Sequence, residues 1–139
     1  MTSRTIVVTR TDLQRLTNLL QSHSVQAVGN DRAHLAELKD ELDQATVVES
    51  ADMLPEIITM NSTFKLLDLD RKEADTFTLV YPDDACIAEG KLSILSPLGA
   101  EVFARQVGDE ITLRVLQRET RKRVEGISFQ PERVGAFNL

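Results

Sequence analysis

The chain has 139 residues, with 16 basic and 22 acidic side chains and a net charge of −6, so it lacks the positive field with which a protein coats nucleic acid. No Trp, one Tyr and five Phe leave few platforms for stacking bases, and one Cys with two His excludes an intrachain disulfide and a complete zinc ligand set of the usual kind. No apolar run approaches the ~20 residues of a membrane span and no signal-peptide pattern opens the chain, so a cytoplasmic, reducing setting is the expectation.

The length predicts one domain, or one compact domain with an appendage. A short β-branched stretch, Ile6-Val7-Val8, comes first. Thr9-Arg10-Thr11-Asp12 then offers a threonine to cap a helix. Leu13, Leu16 and Leu20 recur at three and four residues, which is one apolar stripe. Ser22 to Asp31, with Gly29-Asn30-Asp31, interrupts the pattern as a tip. Leu35, Leu38, Leu42 and Ala45 then continue it at three-four-three spacing. Two narrow stripes joined by a short loop predict an antiparallel, coiled-coil-like helical hairpin over residues 1–53. Helices of ~14 residues are marginal alone, so the hairpin is expected to lean on the rest of the chain.

Pro55 marks a change to strand-type segments: Ile57 to Leu67, Thr76 to Tyr81, Lys91 to Leu95, Glu110 to Arg118 and Lys122 to Gln130. Glu119-Thr120-Arg121 reads as the turn between the last two. Val124 falls out of phase with Ile127 and Phe129, and Gly126 between them suggests a bulge. Ser96 at an N-cap and Pro97 at the first helical position predict a short helix between the third and fourth strands. Residues 54–139 thus read as a mostly antiparallel sheet with one helix on a face, and the chain as α+β.

Motifs for catalysis are absent: there is no P-loop, no glycine-rich dinucleotide fingerprint and no metalloprotease helix. Ser93 and Ser96 have no histidine close in sequence, and Cys86 has no basic neighbour or paired Cys. Asp83-Asp84 after Pro82 reads as turn chemistry. Extending the two apolar stripes places His23 and Asp31 on facing seam positions beside Asn30. They would form a His–Asp pair, able with His34 to hold a metal weakly, or two solvated residues where the seam ends. Glu37, Asp40, Glu41 and Asp43 make the outside of the second helix acidic, either a rod for a basic cleft or a solvating face. Arg114, Arg118, Arg121, Lys122 and Arg123 form a basic patch around the last hairpin. It suits an acidic surface or phosphates, and equally protects a sheet region against edge pairing.

Thr59-Met60-Asn61-Ser62, Thr78-Leu79-Val80-Tyr81-Pro82, Ser96-Pro97-Leu98-Gly99-Ala100, Val107-Gly108-Asp109 and Gln130-Pro131-Glu132 occur in one order and spacing. In these motifs the second half resembles the C-terminal domain of the GreA/GreB transcript-cleavage factors, and in particular their short Rnk branch, the regulators of nucleoside diphosphate kinase. The resemblance implies an FKBP-like fold for residues 54–139. It also implies a bacterial RNA polymerase partner, with this domain at the rim of the secondary channel and the hairpin pointing inward. The family's docking loop falls on Ser96-Pro97, with Leu98 beside it, and a Pro at a helix start is rigid and exposed enough to pack on a partner at low ordering cost. The long coiled coil of the cleavage factors ends in two acidic residues that hold a catalytic Mg²⁺. Here residues 22–31 offer only Asp31, a poor anchor for a cation that prefers several oxygens, so no transcript cleavage is expected. The expectation is a monomeric, non-enzymatic regulator without metal or cofactor, without sequence-specific nucleic-acid contact and without membrane association. An action on nucleotide metabolism through protein contact is the alternative.

Overall fold

The computed structural model of the chain describes residues 4–22, 33–115 and 117–136. Strand β1 (Val7–Thr9) runs directly into helix α1 (Arg10–Ser22), and helix α2 (Ala33–Asp43) is followed by strand β2 (Thr46–Val48). β1 and β2 pair in parallel, Val8 opposite Val47, which ties the start of α1 to the end of α2. The remaining strands are β3 (Thr63–Asp68), β4 (Glu73–Val80), β5 (Lys91–Ser93), β6 (Glu110–Val115) and β7 (Arg118–Phe129), with helix α3 (Pro97–Val102) between β5 and β6. They form one sheet in the order β5-β4-β3-β7-β6, antiparallel except for the β4–β5 pair.

The apolar stripes face inward as their spacing requires. Leu16, Leu20, Leu35, Leu38 and Leu42 are buried, and Leu13 and Ala45 pack partly against them. These leucines share one cluster with Ile58, Met60, Phe64, Leu66, Leu79, Ile111 and Val124 of the sheet region and with Val102 and Phe103 around α3. The two halves of the sequence therefore close over a single core, which supplies the burial that helices of 13 and 11 residues lack by themselves.

Two features of the last hairpin depart from the sequence pattern. The chain reverses between Val115 and Arg118, which pair, with Gln117 at φ +67°, and Glu119, Thr120 and Arg121 lie inside β7 opposite Arg114, Leu113 and Thr112. The earlier turn lets β7 pair with β6 through Arg118–Arg123 and with β3 through Lys122–Phe129, at the cost of one non-glycine residue in the left-handed region. The irregularity beside Gly126 is present, with Lys65 opposite Gly126 and Leu66 opposite Val124, so that Glu125 is the extra residue. A second irregularity brackets Ser128, between the Phe64–Ile127 and Thr63–Phe129 pairs. The bulge at Glu125 turns Val124 and Ile127, three apart in sequence, toward the same core face as Leu66 and Phe64.

A buried acid joins α1 to the body. Thr9 caps the helix, its Oγ accepting the Asp12 N–H at 3.0 Å. The Asp12 side chain is 2% exposed, and its Oδ2 accepts the N–H of Met60 at 3.2 Å. Burial raises its pKa to about 7, reinforced by Glu132 and opposed by the Met60 N–H and Arg15. Tyr81 lies in the same region, and burial and then the Asp12 charge push its hydroxyl above its ordinary value. Glu132 is held at the junction by the Thr59 hydroxyl, which donates to its carboxylate at 2.6 Å. Nearby, the Gln130 side-chain amide donates to the carbonyls of Leu54 and Ile57 at 2.7 and 2.8 Å.

Between the unfolded Asp pKa near ~3.9 and the folded value of about 7, the native state keeps a proton that the unfolded chain releases, so rising pH favours unfolding. Stability is expected to fall by about 1.4 kcal/mol per pH unit across that window from this group and to level off above it. Asp12→Asn keeps an acceptor for the Met60 N–H and is expected to remove that slope, as measured by urea denaturation at intervals from pH 4 to 8.

Candidate docking site and family

The turn preceding α3 is built by two serines. Ser93 Oγ accepts the Leu95 N–H at 3.0 Å, and the Ser93 carbonyl accepts both the Ser96 N–H at 3.1 Å and the Ser96 hydroxyl at 2.6 Å. Ser96 is the N-cap, its Oγ accepting the Gly99 N–H at 3.0 Å, and Pro97 occupies the first helical position. Pro97 is exposed, Leu98 is half-buried with its side chain against the core, and Gly99 and Ala100 are buried. A Cβ on Gly99 would lie 1.9 Å from the Ser93 carbonyl oxygen, so only glycine lets the helix close on the turn. Ser96, Pro97 and Leu98 are thus brought together on a hydrogen-bonded corner whose one exposed member is Pro97.

Both ends of this short helix are held by other elements. At its start, His34 Nε2 donates to the Leu95 carbonyl at 2.8 Å; a carbonyl only accepts, so Nε2 carries the proton. At its end, the Arg4 guanidinium donates to the Ala100 and Glu101 carbonyls at 3.3 and 3.2 Å and pairs with Glu41 of α2 at 3.5 Å. Arg105 also closes on Glu101, at 2.9 Å. Burial pushes both Glu41 and Arg4 toward their neutral forms against their mutual attraction, so the pair orients α2 and α3 more than it stabilises them. Glu41 is buried at 8% exposure, which removes it from the acidic outer face of α2; Asp40 and Asp43 remain exposed and Glu37 is half-buried. His34 sits within α2 and not in the tip. None of the pairs Arg4–Glu41 and His34–Leu95 has a signal in sequence, because their partners are far apart along the chain.

The remaining candidates behave differently. His23, Asn30 and Asp31, with the tip they were assigned to, lie outside the described residues. The five bases of the last hairpin do not gather on one face, because alternation along β7 sends Arg121 and Arg123 to the side opposite Arg118 and Lys122, with Arg114 joining Arg121 through the register of β6. Arg114 pairs with Glu119 at 2.8 Å, Arg121 with Asp70 at 3.2 Å, Lys122 with Asp68 at 3.7 Å and Arg123 with Glu125 at 2.7 Å. Arg118 is exposed and makes no ion pair among the described residues. Backbone N–H groups of Arg71 and Asp70, with Lys122, hold the Asp68 carboxyl below its usual range. Cys86 is a half-buried free thiol, and Asp83-Asp84 belong to a single 3-10 turn. Among the described residues no group of three or more His, Cys, Asp or Glu is placed to hold a metal, and no helix is long and apolar enough to cross a membrane.

Comparison with known proteins gives this architecture a family. Residues 54–129 match the family described as transcription elongation factor, GreA/GreB, C-term, and residues 4–48 match the Rnk N-terminus. The chain belongs to the GreA/GreB family of transcription elongation factors, with the N-terminal segment of its Rnk branch. It is 30% identical over 140 residues, covering all of both chains, to the regulator of nucleoside diphosphate kinase of Escherichia coli (strain K12). It is 24% identical over 141 residues to the transcription elongation factor GreA of Thermodesulfovibrio yellowstonii, covering 86% of this chain and 89% of that one. Among solved structures, a prokaryotic transcription elongation factor GreA/GreB from Nitrosomonas europaea superposes with a TM-score of 0.77 at 30% identity, over 91% of this chain and 99% of the other.

Gly99→Ala is expected to cost about 3 kcal/mol, the upper end of overpacking penalties, because the new methyl meets a backbone carbonyl that already accepts two hydrogen bonds. Chemical denaturation beside Ala100→Gly, which removes a methyl from the same helix, measures the difference.

Proposed function

We propose that the chain is a non-enzymatic regulator that binds bacterial RNA polymerase, docking through Ser96, Pro97 and Leu98 at the rim of the secondary channel. The observation that carries this reading is the exposed Pro97 ring on a corner whose hydrogen bonds are closed internally or by His34. Such a corner enters an interface with little further ordering cost. In this reading residues 1–53 act as the short coiled-coil finger that enters the channel, residues 54–139 form the FKBP-like docking body, and the protein works as a monomer in the cytoplasm.

Transcript cleavage is outside this function. The sequence between Ser22 and Asp31 contains a single carboxylate, and a divalent cation at a polymerase active centre needs more oxygen ligands than that. The protein would compete for the channel with factors that do cleave. Arg118, the base without an ion-pair partner among the described residues, is the member of the basic patch most available to an acidic partner surface; the other four are already paired across the sheet or along β7. Full-length similarity to a regulator of nucleoside diphosphate kinase favours one second reading, a protein contact within nucleotide metabolism.

Pro97→Asp tests the docking role without breaking the fold, since an acidic residue at a helix start is tolerated and favoured by the helix dipole. Retention on immobilised core polymerase is expected to fall at least tenfold, with the unfolding midpoint unchanged; equal retention by the variant and the wild type removes the docking role. On stalled, backtracked complexes the wild-type chain is expected to leave the transcript at full length and to slow shortening by an added cleavage factor. Binding to a nucleoside diphosphate kinase with no binding to polymerase would favour the second reading.

A further inference from the structure

The two serines close much of the turn that carries Pro97 from within, and the Leu95 carbonyl is bonded from outside it. That carbonyl is taken by His34 of α2, at 2.8 Å. Seven residues later on α2, and so two turns along the same face, Glu41 holds Arg4, whose guanidinium covers the Ala100 and Glu101 carbonyls at the far end of α3. His34 to Glu41 spans about 10.5 Å of helix at ~1.5 Å per residue, and α3, Pro97–Val102, is a helix of 6 residues between the two grips. The start of α2 meets the start of α3 and the end meets the end, so the two helices run side by side in the same direction.

We propose that α2 is a splint for the docking turn, with His34 and the Glu41–Arg4 pair as positioning residues that fix the angle at which Pro97 is presented. The proposal rests on the docking role of Pro97 given above, and adds that the N-terminal helical segment is part of the docking apparatus as well as a finger. The leucines of α2 bury the helix in the common core, while the two polar grips at its ends set where α3 lies along it. A docking corner free to rock about the Ser93–Ser96 bonds would have to be ordered at the moment of binding, which lowers affinity without removing any contact surface.

The test uses the full-length chain and core polymerase. His34→Ala and Arg4→Met, each expected to loosen one end of α3, should weaken polymerase binding about threefold to tenfold, the worth of one partly buried hydrogen bond. They should also speed hydrogen exchange at the Ser96 and Gly99 amides, which are bonded to Ser93 and Ser96 inside the turn. His34→Gln, which keeps a side-chain N–H donor, should restore both. Val124→Ala, which lowers global stability from the sheet, should leave both unchanged and so separates splinting from general loosening. Unchanged exchange at Ser96 and Gly99 in His34→Ala overturns the splint, as does faster exchange with undiminished binding. Failure of the wild-type chain to bind polymerase overturns the functional reading and the docking half of this proposal together, and the amide exchange then still decides whether α2 splints α3.

Discussion

The constraint on which the molecule depends is that neither half of the chain can bury its apolar surface alone. Helices α1 and α2 present two leucine stripes too narrow and too short for an independent hairpin. The sheet, with Phe64, Leu66, Leu79 and Val124 on its inner side, needs a cover. Packing each against the other satisfies both, and it brings polar residues of the N-terminal segment against backbone groups of the sheet body. Asp12 on the Met60 N–H, His34 on the Leu95 carbonyl and Arg4 on the last carbonyls of α3 are all contacts of this kind. They are directional where the leucines are not, so they set the register in which the two parts meet.

This division of labour explains what the sequence made legible. The helices were readable because leucines at three and four residues have no other economical use. The start of α3 was readable because Ser-Pro is local chemistry, and the observed Ser96 cap and Pro97 at the first helical position follow from it directly. The turn of the last hairpin lies earlier than the sequence pattern indicates, since nothing in Gln117 announces a left-handed backbone and the pairing of β7 with β3 as well as β6 is a long-range feature. Gly126 marked the bulge correctly to within one residue, whereas the irregularity at Ser128 had no such marker. Arg4, Glu41, Asp12 and His34 were invisible as a group. Each is an ordinary polar residue until the fold supplies its partner, and Glu41 in particular sits among three other acids that do face outward at least in part.

Electrostatics in this protein is local. Five bases close together in sequence suggested a positive patch, but strand alternation and four nearby carboxylates divide it into pairs, each largely neutral and worth little to stability at the surface. On the proposed reading, recognition of a partner would then rest on shape at the Pro97 corner and on Arg118, the base of this patch without an ion pair among the described residues, with the net negative charge of the chain opposing indiscriminate binding to nucleic acid. Charge acts strongly inside, at Asp12, where desolvation and not a partner dominates, and at the buried Arg4–Glu41 pair.

The placement of β3 has a consequence for how the protein is made. Its two neighbours in the sheet, β4 and β7, are separated by the whole of β5, α3 and β6. While the chain is being synthesised, the β3–β4 hairpin can form early, yet the backbone groups on one flank of β3 stay unpaired until residues 118–129 leave the ribosome. A nascent chain with an unpaired strand flank is the state most exposed to self-association and to chaperone capture. Translation speed through the segment from β5 to β6 thus governs how long each new molecule spends in its most vulnerable form.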